Sequence, residues 1–119
     1  MKKVKVLVVD DEENIRLLFK EELEEEDYEV ETASNGLEAL EKLKGSSFDV
    51  VVLDIKMPVM DGIQALNAIK NENKDQPVIL CSAYGEFKQD LSSWVSDGYV
   101  VKSADTRELK ETIRGILGR

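Results

Sequence analysis

The sequence predicts an α/β domain: an open, mostly parallel sheet with helices on both faces. Short apolar runs of strand length alternate along the chain with segments of helical period, the pattern of repeated βαβ units joined by right-handed crossovers. The polar residues best suited to chemistry stand just after the strand runs, at the sheet edge where such folds bind ligands. At 119 residues the chain has room for one such domain and not two. Folding at this size buries roughly two thirds of the unfolded surface, so stability requires no disulfide or metal staple.

Val4 to Val9 reads as a buried first strand, rich in β-branched residues and closed by the turn formers Asp10 and Asp11. Ile15, Leu18, Phe19 and Leu23 then recur at helical spacing, and this amphipathic helix ends in the acidic run Glu21 to Asp27. Tyr28, Val30 and Thr32 alternate with Glu29 and Glu31, which predicts a strand with one wetter face at a sheet edge. Asn35 followed by Glu38 is a helix start in which the Asn caps free amides and the acid returns the bond. Leu37, Leu40 and Leu43 carry that helix to Gly45.

Asp49 to Leu53 is the most apolar run and lacks polar alternation, so it belongs at the sheet centre, covered on both faces. A loop through Pro58 leads to Asp61, Gly62 and a helix carrying Ile63, Leu66 and Ile69. Pro77 to Cys81 is a fourth strand and Gly98 to Val101 a short fifth. The last helix is expected to start at Asp105, with Glu108 completing a capping box and Leu109, Ile113, Ile116 and Leu117 on one side. Between strands four and five, Phe87, Leu91, Trp94 and Val95 have helical spacing, but Ser92, Ser93, Ser96, Asp97 and Gly98 support only a short helix.

The composition narrows the chemistry. With no histidine there is no Ser-His-Asp triad, no histidine zinc site and no phosphohistidine on this chain. Any phosphoryl group arriving from a histidine comes from another molecule. The lone Cys81 forbids an internal disulfide and suits a reducing compartment; it reads as a small buried apolar residue. A net charge of −9 argues against a nucleic-acid surface and permits acidic clusters that hold cations. The apolar run after Met1-Lys2-Lys3 stops at Asp10, too soon for a signal peptide, and nothing approaches a membrane span. A soluble cytoplasmic protein with neither nucleic-acid nor membrane partners is the expectation.

Four strand ends deliver Asp10 and Asp11, Asp54, Ser82 and Lys102 to one rim. Each residue alone has a plain structural reading: a cap or turn former for either Asp, a turn residue for Ser82, a solvated charge for Lys102. Together they make a site. Close carboxylates repel and raise one another's pKa unless a cation offsets them. Hard oxygen donors without His or Cys favour Mg²⁺ or Mn²⁺, and an added ammonium and hydroxyl suit a phosphoryl group. An Asp carboxylate can itself be the nucleophile, giving an acyl phosphate.

Val8-Val9-Asp10-Asp11-Glu12, Leu53-Asp54-Ile55-Lys56-Met57-Pro58-Val59-Met60-Asp61-Gly62, Ser82-Ala83 and Tyr99-Val100-Val101-Lys102 resemble the receiver (CheY-like) domain of two-component response regulators, in order and over the whole chain. The resemblance implies one receiver domain over residues 1–119, with a flavodoxin-like five-stranded parallel sheet in the order 2-1-3-4-5. It implies that Asp54 accepts a phosphoryl group from the phosphohistidine of a sensor histidine kinase or a histidine phosphotransfer protein. Asp10, Asp11, Asp54 and the backbone carbonyl of Lys56 would then serve Mg²⁺ (or Mn²⁺), Asp10 through water. Lys102 would pair with the phosphoryl oxygens and Ser82 would hydrogen-bond one of them. Tyr99 matches an aromatic switch, or is an ordinary amphipathic strand residue. Asn14, Ile15 and Leu18 lie where such domains meet histidine-bearing helices, although Ile15 and Leu18 equally suit the core. Lys56 and Tyr84 flank the site at positions that affect how long the phosphoryl group survives, and slow self-dephosphorylation is expected. Pro58 and Gly62 shape the adjoining loop.

Two departures from the family pattern stand out. Ser103 replaces the proline that usually follows the lysine with a cis peptide. A non-proline cis bond costs about 2.5–4 kcal/mol, so the loop either bears that strain or is trans and rearranged. The stretch from Ser82 to Lys102 is also slightly short, which predicts a shortened or mobile fourth helix.

The leading expectation is a free-standing response regulator, not an enzyme beyond its own phosphorylation and dephosphorylation, that switches or relays a signal to a downstream protein. The alternative is a small Mg²⁺-dependent phosphohydrolase working through an aspartyl phosphate. Such enzymes commonly place a second acid two residues beyond the nucleophile, where this chain has Lys56. A third reading, a binding module indifferent to phosphorylation, leaves the complete site set without a purpose.

Overall fold

The structure is a computed structural model that describes residues 3–57, 59–83 and 96–118. Among the described residues five strands and four helices follow one another as β1 (Lys5–Val9), α1 (Glu13–Glu25), β2 (Glu29–Ala33), α2 (Gly36–Gly45), β3 (Val50–Asp54), α3 (Gly62–Glu72), β4 (Val78–Ser82), β5 (Gly98–Val101) and α4 (Arg107–Leu117). All strand pairs are parallel and the order across the sheet is β2-β1-β3-β4-β5. The β3 run sits at the centre with every residue buried, as its unbroken apolar character predicts. The segment at 84–95, where a short helix was expected, and Tyr84 and Pro58 lie outside the described residues.

Strand pleating sends alternate side chains to opposite faces, and two cores result. Leu7, Val9, Val51, Leu53 and Leu80 meet Ala39, Leu66 and Ile69 of α2 and α3 on one face. Val6, Val8, Val50, Val52 and Ile79 meet Phe19, Leu23, Leu109 and Ile113 of α1 and α4 on the other. Burying each such side chain contributes roughly 1.5–3 kcal/mol, so the two layers together hold the strand ends in register. Cys81 belongs to the second core, and burial together with the Asp54 charge pushes its thiol up to about 12, the inert residue the sequence suggested.

At the edge, β2 turns the carbonyls of Val30 and Thr32 away from β1. Lys20 donates to the first at 3.4 Å and Lys42 to the second at 2.5 Å, one lysine from each flanking helix. Both outward acceptors are thereby engaged, which blunts an exposed strand edge.

Helix starts depart from expectation in two places. Asn35 accepts from the Glu38 amide as predicted, but the Glu38 carboxylate bonds the amide and hydroxyl of Ser34 rather than returning to Asn35. The last helix begins at Arg107, two residues later than predicted, and Glu108 completes no capping box. Asp105 instead accepts from the Arg107 amide, and the buried Thr106 hydroxyl donates to Glu22 of α1 at 2.8 Å. A tertiary partner takes the hydroxyl that a local cap would use. The capping box forms at α3, between Asp61 and Gln64.

Candidate functional site

Parallel pairing brings the carboxyl ends of β1, β3, β4 and β5 side by side. Val9 pairs with Leu53, Asp54 with Cys81 and Ser82 with Val101, so Asp10, Asp54, Ser82 and Lys102 gather on one rim. The Lys102 amide donates to the Ser82 carbonyl at 2.5 Å, extending the ladder one residue beyond β5. Asp10, Asp54 and Ser82 are buried, at 2, 4 and 2 % exposure, whereas Asp11, Glu12 and Lys56 are exposed. A cavity of about 170 Å³ opens among Asp11, Glu12, Asp54, Lys56, Ser82, Ala83 and Lys102.

Lys102 is the hub. Its ammonium lies 3.1 Å from Asp10, 3.4 Å from Glu12 and 3.6 Å from Asp54. The peptide after it is trans, there being no cis bond among the described residues. The following loop is held by the Ser103 hydroxyl, which accepts from the Asp105 amide. Ser103 in place of proline therefore still leaves Lys102 aimed at the carboxylates.

Burial and the neighbouring Asp10 charge push the Asp54 carboxyl up to about 7, with Asp11 adding to the effect and Lys102 opposing it. Burial likewise raises Asp10, against the Glu12 amide and Lys102 that stabilise its charge. Burial works against the Lys102 ammonium, yet the bond and charge of Asp10, then Asp54 and Glu12, hold it above its ordinary range. One ammonium does not balance this much negative charge.

Carboxylate oxygens of Asp10, Asp11 and Glu12 all come within 4.8 Å of one another, close enough to share one cation. The donor set is oxygen only and suits a hard divalent ion, so the residues fit Mg²⁺ or Mn²⁺. The sequence reading placed Asp54 in that set and gave Glu12 no role. In the structure the Glu12 carboxylate joins those of Asp10 and Asp11, and Asp54 lines the same cavity with its carboxylate 3.6 Å from the Lys102 ammonium. Adjacency to two site residues was the signal for Glu12, but its place ahead of α1 reads as a helix boundary. Lys56 lines the cavity; Tyr99 does not, and packs half-buried against the α2–α3 core. Asn14 is exposed, whereas Ile15 and Leu18 pack half-buried against the α1–α4 core.

Gly62 fixes the loop after Asp54. A Cβ there would lie 2.2 Å from the Asp54 carbonyl and 2.6 Å from the Ile55 Cα, so the start of α3 seats directly on the strand end only without a side chain. Its amide donates to the Ile55 carbonyl at 2.7 Å. Val59 in the same loop has φ 72°, a conformation costly for a β-branched residue.

Comparison with known proteins gives a consistent answer. The family model for the response regulator receiver domain matches residues 6–114. The transcriptional regulatory protein SrrA of Staphylococcus aureus is 38% identical over 116 residues, covering 96% of this chain and 48% of its own length. The chain thus spans about half the length of the curated relatives it matches. Among solved structures, the response regulator protein TrrA of Thermotoga maritima in complex with Mg²⁺-BeF is 50% identical with a TM-score of 0.90, covering 95% of this chain and 98% of that one. TrrA in complex with the histidine kinase ThkA is 49% identical, with a TM-score of 0.89 and coverage of 96% and 98%. The chemotaxis protein CheY4 of Vibrio cholerae is 34% identical, with a TM-score of 0.88 and coverage of 97% and 99%.

Proposed function

The chain belongs to the response regulator receiver family, and from that premise we propose that it is a Mg²⁺-dependent phosphoryl acceptor whose acceptor is Asp54. The observation that carries this reading is the buried Asp54 carboxylate at a strand end, facing a cavity shared with Lys102 and Ser82. An Asp54 oxygen forms a bond to phosphorus while the bond from phosphorus to the donor's imidazole nitrogen breaks, its electron pair leaving with the imidazole. These 119 residues hold no histidine, so a donor histidine lies outside them. A sensor histidine kinase fits that role, as does a histidine phosphotransfer protein, and the relative TrrA has been solved with a histidine kinase.

Asp54 must be ionised to attack, and burial opposes this; Lys102 supports the charged form. After transfer the Lys102 ammonium can exchange a carboxylate partner for phosphoryl oxygens, and the Ser82 hydroxyl lies on the same cavity wall. Asp10, Asp11 and Glu12, with Asp54 on the same cavity, would hold Mg²⁺, which when bound supplies positive charge to the phosphoryl oxygens. The relative TrrA has been solved in complex with Mg²⁺-BeF, which supports Mg²⁺ as the ion. The reaction is confined to the protein's own carboxylate: the second position beyond Asp54 is the exposed Lys56, which leaves no acid there for turnover of outside phosphate esters. The output is a contact with a downstream protein or onward transfer of the phosphoryl group.

Incubation with phosphoramidate and Mg²⁺ should add one phosphoryl mass to the wild-type chain and none to Asp54→Asn. Labelling that persists in the variant rejects Asp54 as acceptor.

A further inference from the structure

Arg16, in the first turn of α1, has no part in the site described so far. Its guanidinium Nη1 donates to the main-chain oxygen of Asp10 at 2.8 Å, and its charge adds slightly to the Ser34 hydrogen bonds that hold the Glu38 carboxyl low. Asp10 is consequently gripped at four points. Its amide donates to the Ala33 carbonyl at 3.1 Å and its carbonyl accepts from Arg16. Its carboxylate accepts from the Glu12 amide at 2.9 Å and from Lys102 at 3.1 Å.

The Asp10 carbonyl and the Asp11 amide are two ends of one planar peptide unit. Whatever fixes that carbonyl fixes the plane from which the Asp11 side chain departs. Asp11 itself is exposed and makes no hydrogen bond or ion pair among the described residues, so its own side chain contributes nothing to its orientation. Nevertheless its carboxylate lies within 4.8 Å of those of Asp10 and Glu12.

We infer that Arg16 is a positioning residue for the cation site: by clamping the Asp10 carbonyl it sets the β1–α1 turn so that Asp11 is presented beside Asp10 and Glu12. This rests on the reading of the three acids as a divalent-cation site. The alternative, that Arg16 acts only through its charge, has the opposite sign. Removing a positive charge near a cation site tightens cation binding, whereas removing a clamp on the ligand-bearing turn weakens it.

The test is a Mn²⁺ titration of the full chain, with free Mn²⁺ counted by its paramagnetic resonance signal, for wild type, Asp11→Asn, Arg16→Met and Arg16→Lys. Asp11→Asn should lose most of the binding. Arg16→Met should bind about tenfold more weakly, the usual scale for removing a group that orients a metal ligand. Arg16→Lys keeps the charge but is one bond shorter and lacks the planar fork, so it should also bind several-fold more weakly. Tighter or unchanged Mn²⁺ binding in Arg16→Met, or wild-type binding in Arg16→Lys, overturns the inference. Thermal unfolding without metal checks that each variant is folded at the titration temperature; if Arg16→Met is not, Arg16→Lys decides. Failure of wild type to bind Mn²⁺ removes the cation-site reading and this inference with it, while equal binding by wild type and both Arg16 variants removes this inference alone.

Discussion

Two lysines, each with its side chain 9% exposed, sit at opposite ends of the same sheet and have opposite surroundings. At the amino end, Lys70 of α3 meets one carboxylate, Asp97, at 2.9 Å, and gives its other protons to the carbonyls of Gln76 and Lys74. Asp97 in turn accepts from the Val78 amide at 2.8 Å, tying the start of β4 to the chain entering β5. Charge there is balanced one to one and the remaining donors are spent on backbone. At the carboxyl end, Lys102 faces Asp10, Glu12 and Asp54, with Asp11 beside them. A closed pair is structural; a lysine outnumbered by carboxylates leaves charge for a cation to neutralise.

Removing each lysine is the strongest way to break this comparison. Lys70→Met should destabilise the protein by about 2–3 kcal/mol, because it strands Asp97 and two carbonyls, and Mg²⁺ should restore none of it. Lys102→Met should also destabilise the metal-free protein, but urea unfolding with millimolar Mg²⁺ should recover most of the loss, since a second cation can take the lysine's place. Equal recovery in both variants, or in neither, contradicts the distinction.

A second test uses pH. Asp54 holds a proton up to about pH 7 in the folded state and only to its ordinary value of 3.8 in the unfolded chain. The folded state therefore binds more protons between those values, and Asp54 costs stability increasingly as pH rises from about 4 to 7, with the full cost above. Asp54→Asn should accordingly be more stable than wild type by about 1–3 kcal/mol at pH 8 without metal, with the difference fading towards pH 4. A difference independent of pH would mean that Asp54 is ionised throughout.

The smallest effect sharpens the rim rather than the charges. Val59 is 74% exposed at φ 72°, so Val59→Gly removes little packing and relieves a conformation that a β-branched residue resists. It should raise stability by about 1 kcal/mol in thermal melts.

The rim was legible in outline because strand ends are legible. Asp54 follows an apolar run with no alternation, and Asp10 ends another, so both are legible as strand-end carboxylates. Lys102, one residue beyond β5, is legible on the same ground. Glu12 and Arg16 are not, because Glu12 reads as a helix boundary and Arg16 as an ordinary first-turn residue of α1 without reference to a site. Caps depart from local spacing for a related reason: Glu38 bonds Ser34 rather than Asn35, and Glu108 completes no box with Asp105 while the neighbouring Thr106 hydroxyl reaches Glu22 of α1.

The sequence by itself determined the alternation of strands and helices, the central place of β3, and the delivery of acids, a hydroxyl and a lysine to one edge. Those follow from side-chain periodicity and turn chemistry, which act over a few residues. Only the tertiary structure decided which of several chemically equivalent groups meet. Lys102 and Asp10 stand 92 positions apart, and it is the order and register of parallel strands that bring them to 3.1 Å. The same register seats Lys102 against Asp54, whereas Asp10, Asp11 and Glu12 are consecutive and the Arg16 guanidinium reaches the Asp10 carbonyl across only six residues.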